Sequence, residues 1–176
     1  MATVRPERPS DHADVRELHR VAFGDEGGRV AELVDDLRGL DGAFSLVAED
    51  GGTAVGHVLF VPGWLDAPRR LVQVATLSPL AVLPSRQRQG TGSALVRAGL
   101  QEMAGRGVPV VFLEGDPAYY RRLGFAAGAE LGFRRPSLRI PEAAFQAVLL
   151  PTHEPWMTGT HVYAETFWRH DAVGLR

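Results

Sequence analysis

The stretch Leu80-Ala81-Val82-Leu83-Pro84-Ser85-Arg86-Gln87-Arg88-Gln89-Gly90-Thr91-Gly92-Ser93-Ala94-Leu95 holds the residues whose types and spacing suit chemistry. It reads as a strand, a polar turn with two glycines, and the start of a helix. Glycine lets a backbone turn sharply and approach an anion, while a helix N-terminus offers unpaired N–H groups and a dipole that favours negative charge. Arg86, Arg88 and the backbone amides from Gln87 to Ser93 together suit a pyrophosphate. Two phosphate loops are excluded. A Walker A loop requires lysine, which the chain lacks altogether, and a dinucleotide fingerprint requires a third glycine where Leu95 stands.

A third reading fits without a gap. The pattern Q/R-x-x-G-x-G/A, realised as Gln87-Arg88-Gln89-Gly90-Thr91-Gly92, resembles the coenzyme A pyrophosphate loop of the GNAT family of N-acetyltransferases. Leu80-x-Val82-x-Pro84 resembles the strand ending that precedes that loop. Tyr119-Tyr120-Arg121-Arg122-Leu123-Gly124-Phe125 resembles the family's Y-x-x-x-G-F segment. The resemblance runs from about Ser45 to Phe125, including Val55-Gly56-His57, and the tail is similar to the family's YhbS-type bacterial branch.

The resemblance implies acetyl-CoA as co-substrate, held by Leu80, Ala81, Val82, Gln87, Arg88, Gln89, Gly90, Thr91, Gly92 and Ser93, with no metal. Acetyl transfer from a thioester to an amine develops negative charge on the carbonyl oxygen and then needs a proton for the departing thiolate. By position, the Leu80 amide polarises the carbonyl and Val82 pairs with the pantetheine arm. Tyr120 matches the family's tyrosine, a general acid at the coenzyme sulfur; a lone tyrosine also reads as a core aromatic. Where many members carry an asparagine after the preceding strand, this chain has Asp116. Glu114 is the candidate general base, and a solvated edge carboxylate is the competing reading. His57 reads as a second candidate base or a structural histidine, and Glu26 as a wall of the acceptor pocket.

Those residues need a scaffold, and periodicity outlines one. Thr3 to Arg5 reads as a strand, and Ser10 as the N-cap of a helix with Val15, Leu18, Val21 and Ala22 on one face. After a Gly27-Gly28 break, Val30, Leu33, Val34 and Leu37 mark a second helix. Phe44 to Glu49 and Thr53 to Val61 flank Asp50-Gly51-Gly52 as a hairpin. Leu71 to Leu83 is a long strand interrupted by Pro79, which suggests a bulge or a parting of strands. A helix from about Thr91 to Arg106, a buried strand Val108 to Leu113, a short helix Pro117 to Leu123 and a strand entered at Gly124-Phe125 follow. The proline-rich stretch to Pro155 and the run His161 to Trp168 are expected to complete the sheet. The order βααβββαβα implies an α+β (α/β/α) fold: a mixed, mostly antiparallel sheet flanked by helices, with one parallel pair. The resemblance makes this the GNAT fold and splays that pair at the acyl-CoA site.

Composition agrees with one soluble domain over residues 1–176: 45% of residues are hydrophobic, 23% are charged, and the net charge is -2. The absence of cysteine excludes thiol nucleophiles, disulfides and zinc-thiolate sites. The 19 basic residues, all arginine, are outnumbered by 21 acidic ones, against a nucleic-acid partner. Arg69-Arg70, Arg121-Arg122 and Arg134-Arg135 read as solvated faces. Trp64, Trp156 and Trp168 read as acceptor-pocket walls or as core and interface packing. The scattered histidines lack metal-site spacing, and no run reaches the ~20 apolar residues of a membrane span. The expectation is a cytoplasmic N-acetyltransferase acting on a primary amine, with Phe167 and Trp168 making a homodimer plausible. The rivals are a non-catalytic acyl-CoA sensor and an enzyme that acetylates a protein or an aminoacyl-tRNA.

Overall fold

The computed structural model describes residues 2–174. Its strands are β1 (Thr3–Pro6), β2 (Phe44–Asp50), β3 (Thr53–Asp66), β4 (Leu71–Val82), β5 (Val110–Glu114), β6 (Ala126–Ala127), β7 (Phe133–Arg134), β8 (Phe145–Leu149) and β9 (Gly159–Val162). Its helices are α1 (His12–Ala22), α2 (Gly27–Arg38), α3 (Thr91–Gly105), α4 (Pro117–Tyr120) and α5 (Glu165–Arg169). The strand order is β1-β2-β3-β4-β5-β8-β6, and β9 pairs with β3 and β7. This is the expected mixed, mostly antiparallel sheet with helices. The described residues divide into two units: residues 2–61 with 78–99, and residues 62–77 with 100–174.

In the first unit β1 runs antiparallel to β2, with Val4 opposite Ala48. The cap of α1 is Asp11, not Ser10, because Pro9 opens a 3-10 turn that takes Ser10 into itself. The Asp11 carboxylate accepts from the Arg8 amide at 2.7 Å and from Arg5 at 2.7 and 2.9 Å. The break between α1 and α2 falls at Gly24, and Gly27 opens α2. A Cβ at Gly27 would stand 2.2 Å from the Arg20 carbonyl oxygen, so close approach of the two helices requires glycine there. Gly51 and Gly52, at φ 60 and 81, form the two-residue turn between β2 and β3. Helix α3 lies directly on β3: a Cβ at Gly56 would meet Leu95 Cδ1 at 2.9 Å, and one at Gly99 would meet the Phe60 ring at 2.1 Å.

A polar network is buried in this unit. Arg38 donates to both Glu7 oxygens at 2.8 and 3.1 Å, and the Ser45 hydroxyl adds a bond of 2.5 Å. His57 Nε2 stands 3.5 Å from Glu7, and its Nδ1 is 2.9 Å from His19 Nε2. Burial raises the Glu7 pKa, but the bonds from its partners outweigh this and hold the carboxyl well below its usual range. Burial lowers His57, and lowers His19 to about 3. All three shifts have the same sign for stability. The unfolded chain binds protons that the folded one refuses, so stability is lost as pH falls below the free histidine pKa of about 6.5. Denaturant titrations at pH 7, 6 and 5 are expected to show that loss, with a slope approaching about 1.4 kcal/mol per pH unit for each fully engaged group. His19→Gln is expected to flatten the slope.

The second unit is built on β5. It pairs in parallel with β4, Ala75 opposite Val111 and Thr76 opposite Phe112, and antiparallel with β8 from Val110–Leu149 to Glu114–Phe145. Strand β3 continues past Val61, its expected end, because β9 supplies a partner at Trp64, Leu65 and Asp66. The tail completes the sheet as expected, and β7 with β9 adds a short parallel pairing that the periodicity did not show. Phe112 is the centre of an aromatic core, with ring centroids 4.2 Å from His161, 4.9 Å from Phe133 and 5.6 Å from Phe145. No helix among the described residues is long and apolar enough to cross a membrane.

Candidate active site

The first group of site residues comes from β4, the loop after it and α3. Leu80 and Val82 are half-buried and Ala81 is buried, while Pro84 to Gly90 are exposed. The Leu83 amide donates to Val55 in β3 at 3.0 Å. Since successive N–H groups of an extended strand point to opposite edges, the Leu80 and Val82 amides point away from β3. A 3-10 turn at Pro84–Arg86 leaves the strand. The Gln87 and Gln89 side chains brace the loop by donating to the carbonyls of Val82 and Ser85, both at 3.2 Å. Arg88 at φ 60 and Gly90 at φ 85 turn it into α3.

The first i→i−4 bond of α3 runs from Ala94 to Gly90 at 2.9 Å. The N–H groups of Thr91, Gly92 and Ser93 therefore have no intrahelical acceptor, and they share the positive end of the helix dipole. This is the chemistry of an anion cradle. Arg86 is a weaker part of it than the sequence suggests, because its guanidinium is paired with Asp50 at 2.6 Å.

The second group comes from β5, α4 and the tail. Asp116 takes no visible part in chemistry: its carboxylate caps α4 by accepting from the Ala118 amide at 2.9 Å. That cap and Pro117 start the helix that carries Tyr120. The Tyr120 ring packs edge-on to Tyr119 and Phe125, at 4.8 and 5.6 Å, and against Gly115, where a Cβ would come within 2.5 Å of the ring. Burial, reinforced by Tyr119, pushes the Tyr120 hydroxyl pKa above its usual value, so it stays protonated.

Glu114, the residue before Gly115, accepts from the Tyr163 hydroxyl at 2.6 Å and from the Gly174 amide at 3.0 Å. Burial raises its pKa, against the opposing pull of those two donors. Tyr163 also stands edge-on to His161, which is 3.0 Å from Thr76 Oγ1 and which burial lowers to about 3. Tyr120 thus packs on Gly115, the residue that follows Glu114 at the end of β5. Tyr163 was not foreseen, because 49 residues separate it from Glu114 and no local pattern links them.

His57 is a structural member of the buried network around Glu7. Glu26 lies in an exposed turn, paired with Arg29 at 3.0 Å. None of the tryptophans is buried: Trp64 and Trp168 are exposed, and Trp156 lies under Arg69 and Arg70 at 5.2 and 5.3 Å. Of the two residues behind the expected homodimer, Phe167 is buried in its own fold and Trp168 is exposed. Among the described residues no cluster of three or more His, Asp or Glu side chains could hold a metal.

A family model for the acetyltransferase (GNAT) domain matches residues 3–128. The chain belongs to this family. It is 39% identical over 140 residues to YjhQ of Escherichia coli strain K12, an uncharacterised N-acetyltransferase, covering 76% of this chain and 74% of that one. It is 36% identical over 148 residues to the E. coli N-acetyltransferase YhbS, likewise uncharacterised, covering 81% and 84%. The crystal structure of E. coli YhbS with CoA superimposes with a TM-score of 0.84 at 35% identity, over 96% of this chain and 92% of that one. A GNAT acetyltransferase from Brucella melitensis in complex with acetyl-CoA gives 0.74 at 32% identity, over 95% and 98%. This GNAT protein is an acyltransferase of the N-acetyltransferase type.

Proposed function

We propose that residues 1–176 act as a single cytoplasmic domain that transfers the acetyl group of acetyl-CoA to a primary amine of a small molecule by direct attack. The observation that carries this reading is the loop before α3, with unpaired Thr91, Gly92 and Ser93 amides behind Gly90, continuous with a strand whose Leu80 and Val82 amides point away from β3. The first set suits the coenzyme pyrophosphate, the Leu80 amide the acetyl carbonyl, and the Val82 amide the pantetheine arm. Two structural relatives that hold CoA or acetyl-CoA support the same coenzyme here.

In the proposed reaction the amine nitrogen forms a bond to the thioester carbon, and the C–S bond breaks as the carbonyl re-forms. The amine proton passes to Glu114, whose raised pKa brings it nearer to that of a base working at neutral pH. Tyr120 gives its proton to the departing thiolate. No covalent enzyme intermediate forms.

A second reading, an acyl-CoA sensor without turnover, draws on the engagement of both Glu114 oxygens by Tyr163 and Gly174. Thiol release from acetyl-CoA over a panel of amines, polyamines, amino acids, aminoglycosides and peptides separates the two. The chain has no cysteine, so a thiol reagent reads only the coenzyme. Release above an acceptor-free control with one class is the expected result; silence with retained coenzyme binding would favour the sensor.

A further inference from the structure

A pocket of about 260 Å³ lies in the second unit, lined by Phe133, Arg134, Arg135, Leu138, Glu142 and Phe145. Its lining combines apolar side chains with two arginines and one carboxylate. Arg135 is the feature the sequence hid: its Nε is buried and has no hydrogen-bond partner, although a solvated arginine was expected. Its Nη1 is 3.7 Å from Glu142, an exposed carboxylate, and such a pair leaves most of the guanidinium's donor capacity unused. Arg134 gives its Nε to Thr160 at 3.0 Å and keeps its remaining donors. Two guanidiniums against one carboxylate leave a net positive charge in a lining that is otherwise apolar. A guanidinium matches a carboxylate with two parallel hydrogen bonds.

Phe145, the pocket's inner wall, stands directly opposite Glu114 in the β5–β8 register, and cross-strand partners project from the same face. On the outer side, a Cβ at Gly174, whose amide holds Glu114, would touch Arg139, the neighbour of the pocket residue Leu138. Glu114 and the pocket-lining Phe145 thus share one face of the β5–β8 pair.

We propose that this pocket receives the far end of the acceptor, and that the acceptor is an amino-carboxylate: an amine, an apolar span of several bonds, and a carboxylate on Arg135. This rests on the acetyltransferase reading above. The amine would lie at Glu114 and the chain along Phe145, Phe133 and Leu138.

Two measurements test it. In the first, binding of hexanoate and of hexanol is followed by NMR in the wild type, Arg135→Gln and Leu138→Asp. Leu138 is 89% exposed, so the added charge repels a carboxylate without disturbing the core. Hexanoate is expected to bind the wild type and to lose about tenfold or more in affinity in both variants, as removal of a charge-assisted bond predicts; hexanol should not respond. In the second, 6-aminohexanoate is expected to exceed hexylamine by about tenfold or more in kcat/KM, with the preference erased by Arg135→Gln. Absent hexanoate binding, or binding equal in all three proteins, overturns the pocket as a carboxylate site. Binding without preference in transfer overturns it as the acceptor's site. Failure to acetylate any amine while acetyl-CoA binds defeats the acetyltransferase reading instead, and leaves the hexanoate result to decide the pocket's chemistry alone.

Discussion

Tyr120→Phe is expected to lower kcat by about 10²–10⁴-fold, the range that one positioned proton donor supplies, while CoA affinity stays within about twofold. The substitution removes only the hydroxyl. The ring contacts with Tyr119, Phe125 and Gly115 survive, so the packing of α4 and the fold should be unchanged. Burial keeps the hydroxyl protonated through neutral pH, which is what a donor to a departing thiolate requires. A core aromatic would behave differently. If Tyr120 only packs, its phenylalanine variant retains full turnover, and the measurement is steady-state thiol release beside calorimetric CoA titration. A parallel loss of kcat and CoA affinity would instead mark Tyr120 as a binding residue. The cleanest variant is therefore also the most informative one.

The elements legible in the sequence were those whose cause is local. Gly51-Gly52 fixes a hairpin turn through its own backbone, and the apolar stripe of α3 is set by spacing within one helix. The loop from Gln87 to Ser93 was legible for the same reason, since glycines and a helix start are adjacent in the chain. What escaped depends on distant partners. The extension of β3 to Asp66 exists because β9 arrives from almost a hundred residues away, as shown by the His161 ring bonded to the Trp64 carbonyl with a separation of 97. Ser10 lost its capping position to Asp11 because Pro9 opens a 3-10 turn that takes Ser10 in, and Arg5, from β1, holds the carboxylate at the end of that turn. His57 read as a candidate base or a structural histidine, and only the arrival of Glu7, Arg38 and His19 from three separate segments shows it enclosed in a buried network. Arg135 read as surface because nothing in Arg134-Arg135-Pro136 says that one guanidinium will be partly enclosed.

Gly90→Glu is expected to weaken CoA binding by about a hundredfold, by adding a carboxylate where the helix dipole and free amides favour an anion. Gly90 is at φ 85, so any side chain costs about 1–2 kcal/mol of backbone strain. A Cβ there meets nothing within 4 Å, and the new side chain therefore enters open space next to the start of α3 instead of the core. Strain and ligand exclusion must be separated, and Gly107 does so. It lies beyond the other end of α3 at φ 76 with equally open surroundings, so Gly107→Glu carries a similar strain at a site about 20 Å away along a 15-residue helix. Both variants should lose similar stability in denaturant, while only Gly90→Glu loses CoA in calorimetry. Equal CoA affinity in the two would show that the anion is not held at this helix start, and the roles given to Gln87 through Ser93 would fall together.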